Sequence, residues 1–309
     1  MITAYAPATV SNVGCGFDVL GLALESPGDL VGAEPFDGAG VEIAAIEGDQ
    51  GRLSHDPRFN TAGAAVLALL ERLGTTRGVK LRIEKGLPLA SGIGSSGASA
   101  AAAVIAVNEL FGRPAGMDLL VECAMAGEVA GCGAAHPDNV APALFGGFVL
   151  ARSVNPPDIV RLPVPDGLAC AVLHPHLEVK TGSARALLAD KVPLDDAVRQ
   201  WANVGALVAG LFLNDLALIG RAIEDHVAEP RRAHLVPGLA AIKQAAREAG
   251  ALGCSLSGSG PSVFALCDSL DRATEVGAKM HDAFAAAAGS TADLWVSPVS
   301  RQGARIVTG

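Results

Sequence analysis

The stretch Pro88–Val104, PLASGIGSSGASAAAAV, constrains this chain more than any other. Its centre, Gly92-Ile93-Gly94-Ser95-Ser96-Gly97, satisfies G-x-G-x-x-G, and the alanine run after it is a strong helix former. Glycines let backbone N–H groups crowd around an anion, and a helix that starts there points its positive end at it. The stretch predicts either a phosphate-binding turn into a helix or a tight turn that binds nothing.

Three phosphate-loop chemistries compete. A Walker A loop ends in Gly-Lys-Ser/Thr, but Gly97 is followed by Ala98. A dinucleotide-binding turn needs a second strand ending in an acid about 20 residues on. The acid at that distance, Asp118, follows GRPAGM and opens a helix, with no strand between. The third reading uses the serines. Ser95 and Ser96 add hydroxyl donors, or a hydroxyl ligand for the magnesium that travels with a nucleotide.

The surrounding pattern is mixed. VKLRIE, Val79–Glu84, alternates as a half-buried strand does, and Thr61–Leu73 has helical spacing with Asn60 or Thr61 as N-cap. A helix is expected from Ala98 to Phe111, another capped by Asp118 and carrying Glu128, and a strand over Gly146–Arg152. The Pro- and Asp-rich segment Ser153–Gly167 reads as a domain boundary. Beyond it a strand at Leu168–His174 leads to helices around Thr181–Asp190, Asp195–Asn214, Leu216–Val227 and Leu239–Ala249. A serine–glycine turn at Ser257 then feeds a strand, and a helix from Arg272 to Ala288 and the strand ADLWVSP follow. Without strict βα alternation the class is α+β, in two domains over residues 1–158 and 159–309.

Composition excludes several functions. The net charge of -9 and the lack of a Lys/Arg-rich run argue against nucleic acid as a partner. No run approaches the roughly 18 apolar residues of a membrane span, and the first basic residue is Arg52, so neither a membrane partner nor a secretory signal is expected. The six cysteines form no CxxC pair and read as free, mostly buried thiols of a cytoplasmic protein.

Two further segments accompany the glycine loop. APATVSNVGCGFDVLGLAL, Ala6–Leu24, places Asn12 and Asp18 in a glycine-rich stretch, and SLSGSGPSVFAL, Ser255–Leu266, is a second serine–glycine loop containing Gly258. In order and spacing the three resemble the motifs of the GHMP kinases. Within that superfamily the chain looks most like the homoserine kinases, through Pro7, Ala8, Thr9, Asn12, Gly14, Gly16, Phe17, Asp18 and Gly21–Leu24, and through His136-Pro137-Asp138-Asn139-Val140-Ala141-Pro142-Ala143. It departs at Ile93, Gly97 and Cys15, where leucine, alanine and proline are frequent.

The resemblance implies a two-domain GHMP kinase fold, with an N-terminal S5-like α/β domain and a C-terminal ferredoxin-like α+β domain. It implies transfer of the ATP γ-phosphoryl group to the side-chain hydroxyl of L-homoserine, a step of threonine biosynthesis, with ATP and Mg²⁺ as cofactors and a homodimer as the assembly. ATP would lie against Pro88, Leu89, Ala90, Ser91, Gly92, Ile93, Gly94, Ser95, Ser96, Gly97 and Ala98, with Asn60 near adenine and Gly258 across the site. Ser96 and Glu128 would hold the metal. Asp18 would take the substrate ammonium, Asn12 and Asn139 the hydroxyl, and Arg185 and Arg232 the carboxylate, with His136 and Thr181 also at the substrate. Arg231 competes with Arg232 for that role, because a one-residue shift exchanges them. Glu128, Asn139 and Arg185 are the expected catalytic set, and no side-chain base is expected, since an asparagine cannot take the proton.

Three rivals stand beside this reading: a kinase of the same superfamily acting on mevalonate, shikimate or a diphosphocytidyl sugar alcohol; a non-catalytic sensor; and a dinucleotide-dependent oxidoreductase. The Asp18, Arg185 and Arg232 set favours an amino acid. The retained Glu128 and serines disfavour a sensor.

Overall fold

In a computed structural model the chain forms eleven strands and ten α-helices among the described residues, 1–179, 181–189 and 191–307; for Cys132 and Thr181 the backbone alone is described. The first part contains β1 (Ile2–Ser11), β2 (Leu20–Phe36), β3 (Val41–Glu47), α1 (Thr61–Arg72), β4 (Gly78–Glu84), α2 (Ser95–Leu110), α3 (Met117–Cys132), α4 (Pro137–Phe145), β5 (Phe148–Val154) and β6 (Pro157–Leu162). Then come β7 (Ala169–Pro175), α5 (Thr181–Ala186), α6 (Leu194–Leu213), α7 (Leu216–Ala222), α8 (Glu229–Arg232), α9 (Leu239–Glu248), β8 (Gly253–Leu256), β9 (Val263–Cys267), α10 (Leu270–Ala288), β10 (Ala292–Pro298) and β11 (Arg305–Val307).

The larger sheet runs β11-β1-β2-β4-β3, with β5 on the early part of β2 and β6 on β5. Only β3 and β4 pair in parallel. β2 changes partners along its length, from β5 at Leu20–Leu22 to β4 at Leu30–Phe36. α2 packs against β1 and β2 on one side and α1, α3 and α4 on the others. Its side chains Ala100–Ala103 are fully buried, because only methyl groups fit a helix enclosed by neighbours on every side.

The smaller sheet is antiparallel, ordered β10-β7-β9-β8. Its side chains alternate between two cores. Ala169, Ala171, Leu173, Val263 and Ala265 face α9 and α10, while Cys170, Val172, Phe264 and Leu266 join the core of the larger sheet. β7 is thus buried on both faces and reads as a continuous apolar run.

Several local expectations change. α2 starts three residues before Ala98, at Ser95, so both serines lie in its first turn. Asp118 sits in the first turn of α3, whose N-cap is Gly116. Segment 153–167, expected as a boundary, contains β6, and a division at 158/159 passes through that strand. Asp190 lies outside the described residues.

The loop before α2 is fixed by a buried ion pair. Lys85 Nζ meets the Asp29 carboxylate on β2 and donates to Ser95 O at 2.7 Å and Ser99 Oγ at 2.8 Å. Asp29 Oδ1 accepts from the N–H groups of Gly86 (3.0 Å) and Leu87 (3.2 Å). Removing one partner strands the other charge in the core, so Asp29→Ala is expected to cost about 3–5 kcal/mol. Urea denaturation measures this. A loss below about 1 kcal/mol would mean that Lys85 finds water when unpaired.

Candidate active site

A cleft of ≈ 520 Å³ lies where the two parts meet. Its floor is the loop 85–94 and the first turn of α2, whose leading N–H groups have no acceptor within the helix. The opposite side of this loop is also tied down. Ile93 O accepts from Thr9 N (3.1 Å), Gly92 O from Ser257 Oγ (2.7 Å) and Ser91 O from Ser262 N (3.3 Å). The third serine–glycine segment is therefore a buttress for the loop as well as a wall of the cleft. Gly92 has φ +80, and a Cβ there would lie 2.6 Å from Ser257 O.

Glu128 reaches this floor because α3 crosses α1 at contact distance. A Cβ on the preceding Gly127 would sit 2.4 Å from Thr61 O. Glu128 is buried beside the Ser96 hydroxyl, and its Oε1 has no hydrogen-bond partner among the described residues. Burial pushes its carboxyl up to about 7, opposed by the Ser96 hydrogen bond and the Lys85 charge. Among the described residues no cluster of three or more His, Cys, Asp or Glu could cage a metal. One unsatisfied carboxylate oxygen beside a hydroxyl fits a hard divalent cation that arrives with phosphate oxygens.

The other end of the cleft carries paired charges. Arg185 Nη2 donates to both oxygens of Asp18 at 2.8 Å, with side-chain exposures of 45% and 39%. Arg232 is only 3% exposed and donates to the backbone oxygens of Ala184 and Gly258, each at 3.2 Å. Both guanidinium groups approach the ring of Phe17, at 5.6 Å and 5.2 Å. Burial pushes Arg232 below its ordinary value, and Asp18 opposes the shift. Its position is set by Asp225, whose carboxylate accepts from the N–H groups of Val227, Ala228 and Glu229, and by Glu229, which binds Lys243 and Ser255. Arg231 points to solvent, so Arg232 is the arginine at the cleft.

Asn12 Nδ2 donates to Gly258 O (3.0 Å) and its Oδ1 accepts from Asp18 N (3.0 Å), so this amide joins two segments of the wall. Asn60 caps α1 through Ala62 N and Gly63 N and donates to Ser54 O. Two buried polar atoms at the start of α4, His136 Nε2 on the N-cap and Asp138 Oδ1 in the first turn, have no partner among the described residues. Burial lowers His136 and raises Asp138 to about 7.

The cleft brings together Asn12, Asp18, Asn60, Leu89–Gly92, Gly94–Ser96, Glu128, His136, Asn139, Arg185, Arg232 and Gly258. Pro88, Ile93, Gly97 and Ala98 stand behind this surface, and the side chain of Thr181 lies outside the described part. Sequence reasoning missed Lys85, Ser99 and Phe17 as lining residues and set Asp138 aside as out of register. The five described cysteines are free and buried; burial pushes Cys15 up to about 12, which removes it as a nucleophile.

The two inner loop glycines differ in what they tolerate. A Cβ at Gly97 would meet nothing nearer than Asn139 Cβ at 3.5 Å, an ordinary contact. Gly97→Ala should therefore raise stability by about 0.4–1 kcal/mol, whereas Gly92→Ala should lower it and weaken nucleotide binding. Thermal unfolding and fluorescent-nucleotide titration of both variants check the contrast; equal effects at the two positions would refute it.

Similar proteins identify the family. The GHMP kinases N terminal domain family matches residues 60–147 and the GHMP kinases C terminal family residues 205–286. Homoserine kinase of Chlorobium phaeovibrioides is 50% identical over 317 aligned positions, covering 99% of both chains. That of Chlorobaculum tepidum is 51% identical, covering 99% of this chain and 98% of its own. The crystal structure of homoserine kinase from Cytophaga hutchinsonii superposes with a TM-score of 0.96 at 50% identity, over 99% of this chain and 97% of that one. Mevalonate kinase of L. major, 17% identical with a TM-score of 0.71 over 96% and 95% of the chains, shares the fold. The chain belongs to the homoserine kinases of the GHMP kinase superfamily.

Proposed function

We infer that this enzyme transfers the γ-phosphoryl group of ATP to the side-chain hydroxyl of L-homoserine, giving O-phospho-L-homoserine and ADP. The observation that carries the reading is the Asp18–Arg185–Arg232 group at one end of the cleft, with a phosphate loop at the other. An amino acid has one pole for each sign. Its ammonium suits Asp18, and its carboxylate suits guanidinium forks. Mevalonate and shikimate carry a carboxylate but no ammonium, so they would offer Asp18 no cation in place of Arg185.

Phosphoryl transfer asks for positioning and charge stabilisation more than for covalent chemistry. Here the N–H groups at the start of α2, with Ser95 and Ser96, hold the phosphates. Ser96 and Glu128 would hold Mg²⁺, which would supply positive charge beside the phosphates. Asn139 and Arg185 stand at the acceptor end and complete the catalytic set. The use of ATP and the free, buried thiols fit a cytoplasmic enzyme. The test is ADP release from MgATP with homoserine, mevalonate and shikimate offered in turn. Turnover is expected with homoserine; turnover only with another acceptor overturns the assignment.

We extend the proposal to a homodimer through α6. Its outer face carries Leu194, Val198, Trp201, Phe212 and Leu213, with Trp201 58% and Leu213 73% exposed. No charged residue lies between Arg199 and Asp215. Gly205 is at the centre, and a Cβ there would meet nothing within 4 Å. An antiparallel copy crossing at Gly205 sets each Trp201 against the small Ala209 of the other. An uncovered apolar stripe of this kind supports an interface there. Light scattering should find a dimer that Trp201→Lys dissociates; a monomeric parent contradicts it.

A further inference from the structure

The contribution of Asn139 depends on which end of its amide faces the acceptor. A carboxamide oxygen only accepts hydrogen bonds, and its nitrogen only donates them. The backbone on both sides of the question is fixed. Asn139 lies in the first turn of α4, with its N–H on His136 O at 3.0 Å, and its Cβ packs beside Gly97 of α2. Thr9 lies on β1, fully buried, paired with Ala23 of β2 and donating its N–H to Ile93 O. What remains free is the flip of the amide, and the surroundings of Thr9 Oγ1 decide it: the hydroxyl donates to Asn139 Oδ1 at 3.0 Å, its one hydrogen bond among the described residues. A hydroxyl can also accept, but facing the amide nitrogen this fully buried one would keep its own proton without an acceptor, which is costly. With the oxygen held against the wall, the nitrogen is the end left for the cleft that Asn139 lines.

We propose that Thr9 is a positioning residue that locks the Asn139 amide with its nitrogen toward the reacting groups, making Asn139 a hydrogen-bond donor to the transferring phosphoryl group and not an acceptor for the substrate hydroxyl. This rests on the phosphoryl-transfer reading above and sharpens it. Negative charge spreads over the phosphoryl oxygens during transfer, and a fixed N–H aimed at developing charge stabilises it without reorganisation. An unlocked amide spends part of its time with oxygen facing the phosphates, where it repels them.

Thr9→Val keeps the shape and removes the hydroxyl, while Thr9→Ser keeps the hydroxyl. Each is made in the parent and in Asn139→Ala, and kcat and KM are measured with whichever acceptor of the panel the parent turns over. A wrong acceptor then appears in the parent alone, before any variant is compared. Thr9→Val is expected to lower kcat at least tenfold, up to the roughly 10²–10³-fold cost of losing one such donor, with KM for both substrates little changed. Thr9→Ser should keep most of the rate, and adding Thr9→Val to Asn139→Ala should cost nothing further. The idea is overturned if Thr9→Val leaves kcat intact, if Thr9→Ser loses as much, or if the loss persists undiminished without Asn139. Should Thr9→Val not fold by circular dichroism, Thr9→Ala takes its place in the same cycle.

Discussion

Lys85 and Asp29 hold the site together from beneath. Each lone charge would be costly in a protein interior, and the pair is tolerable because its hydrogen-bonding capacity is used. The ammonium has the Asp29 carboxylate, Ser95 O and Ser99 Oγ, and the carboxylate also has Ser99 Oγ at 2.7 Å and two backbone N–H groups. Replacing such a pair with apolar groups is often neutral for stability, so its value here is geometric. It joins three pieces that must stay in register: the middle of β2, the start of the phosphate loop and the first turn of α2. The Lys85 charge also favours the ionised form of Glu128, the form a metal needs.

The remaining walls depend on the seam between the sheets. β7 and β9 contribute alternate side chains to both cores, so the two parts meet as a continuous interior and not as a wet interface. Across that seam Ser257 and Ser262 bond the phosphate loop while Gly258 O receives Asn12 and Arg232. A shift of the second part would move the loop and Arg232 together. This coupling suits a reaction that depends on the distance between two bound molecules.

Legibility in the sequence followed how local the signal was. The phosphate loop, the Asn60 cap and most helices could be read because glycines, serines and helical periodicity act over a few residues. β1 was obscured by proline and glycine in APATVSNVG, where the strand character comes from pairing across the sheet. β6 was hidden in a segment that reads as a linker by composition. Lys85 ends an alternating strand and looks like a surface lysine; only Asp29, 56 residues away in sequence, gives it a role. The choice between Arg231 and Arg232 likewise needed three dimensions, since the ties made by Asp225 and Glu229 decide which side chain turns inward.

On the proposed reading, substrate choice follows from how differently the charges at the cleft's far end are held. The Asp18–Arg185 bridge is nearly half exposed, and pairs of that kind contribute about 0–1 kcal/mol. Opening it for a zwitterion costs little, and each partner gains an opposite charge. Arg232 is different: it is buried, and among the described residues its direct bonds are to two backbone oxygens and to no carboxylate. A carboxylate beside it relieves a cation that burial has already pushed below its ordinary value. An alcohol without a carboxylate leaves Arg232 uncompensated, and one without an ammonium leaves Asp18 uncompensated once the bridge to Arg185 opens. Discrimination of this kind comes from protein groups left unpaired by the wrong ligand, and it is stronger than fit to an apolar pocket achieves. The weak bridge therefore serves selection because it is weak.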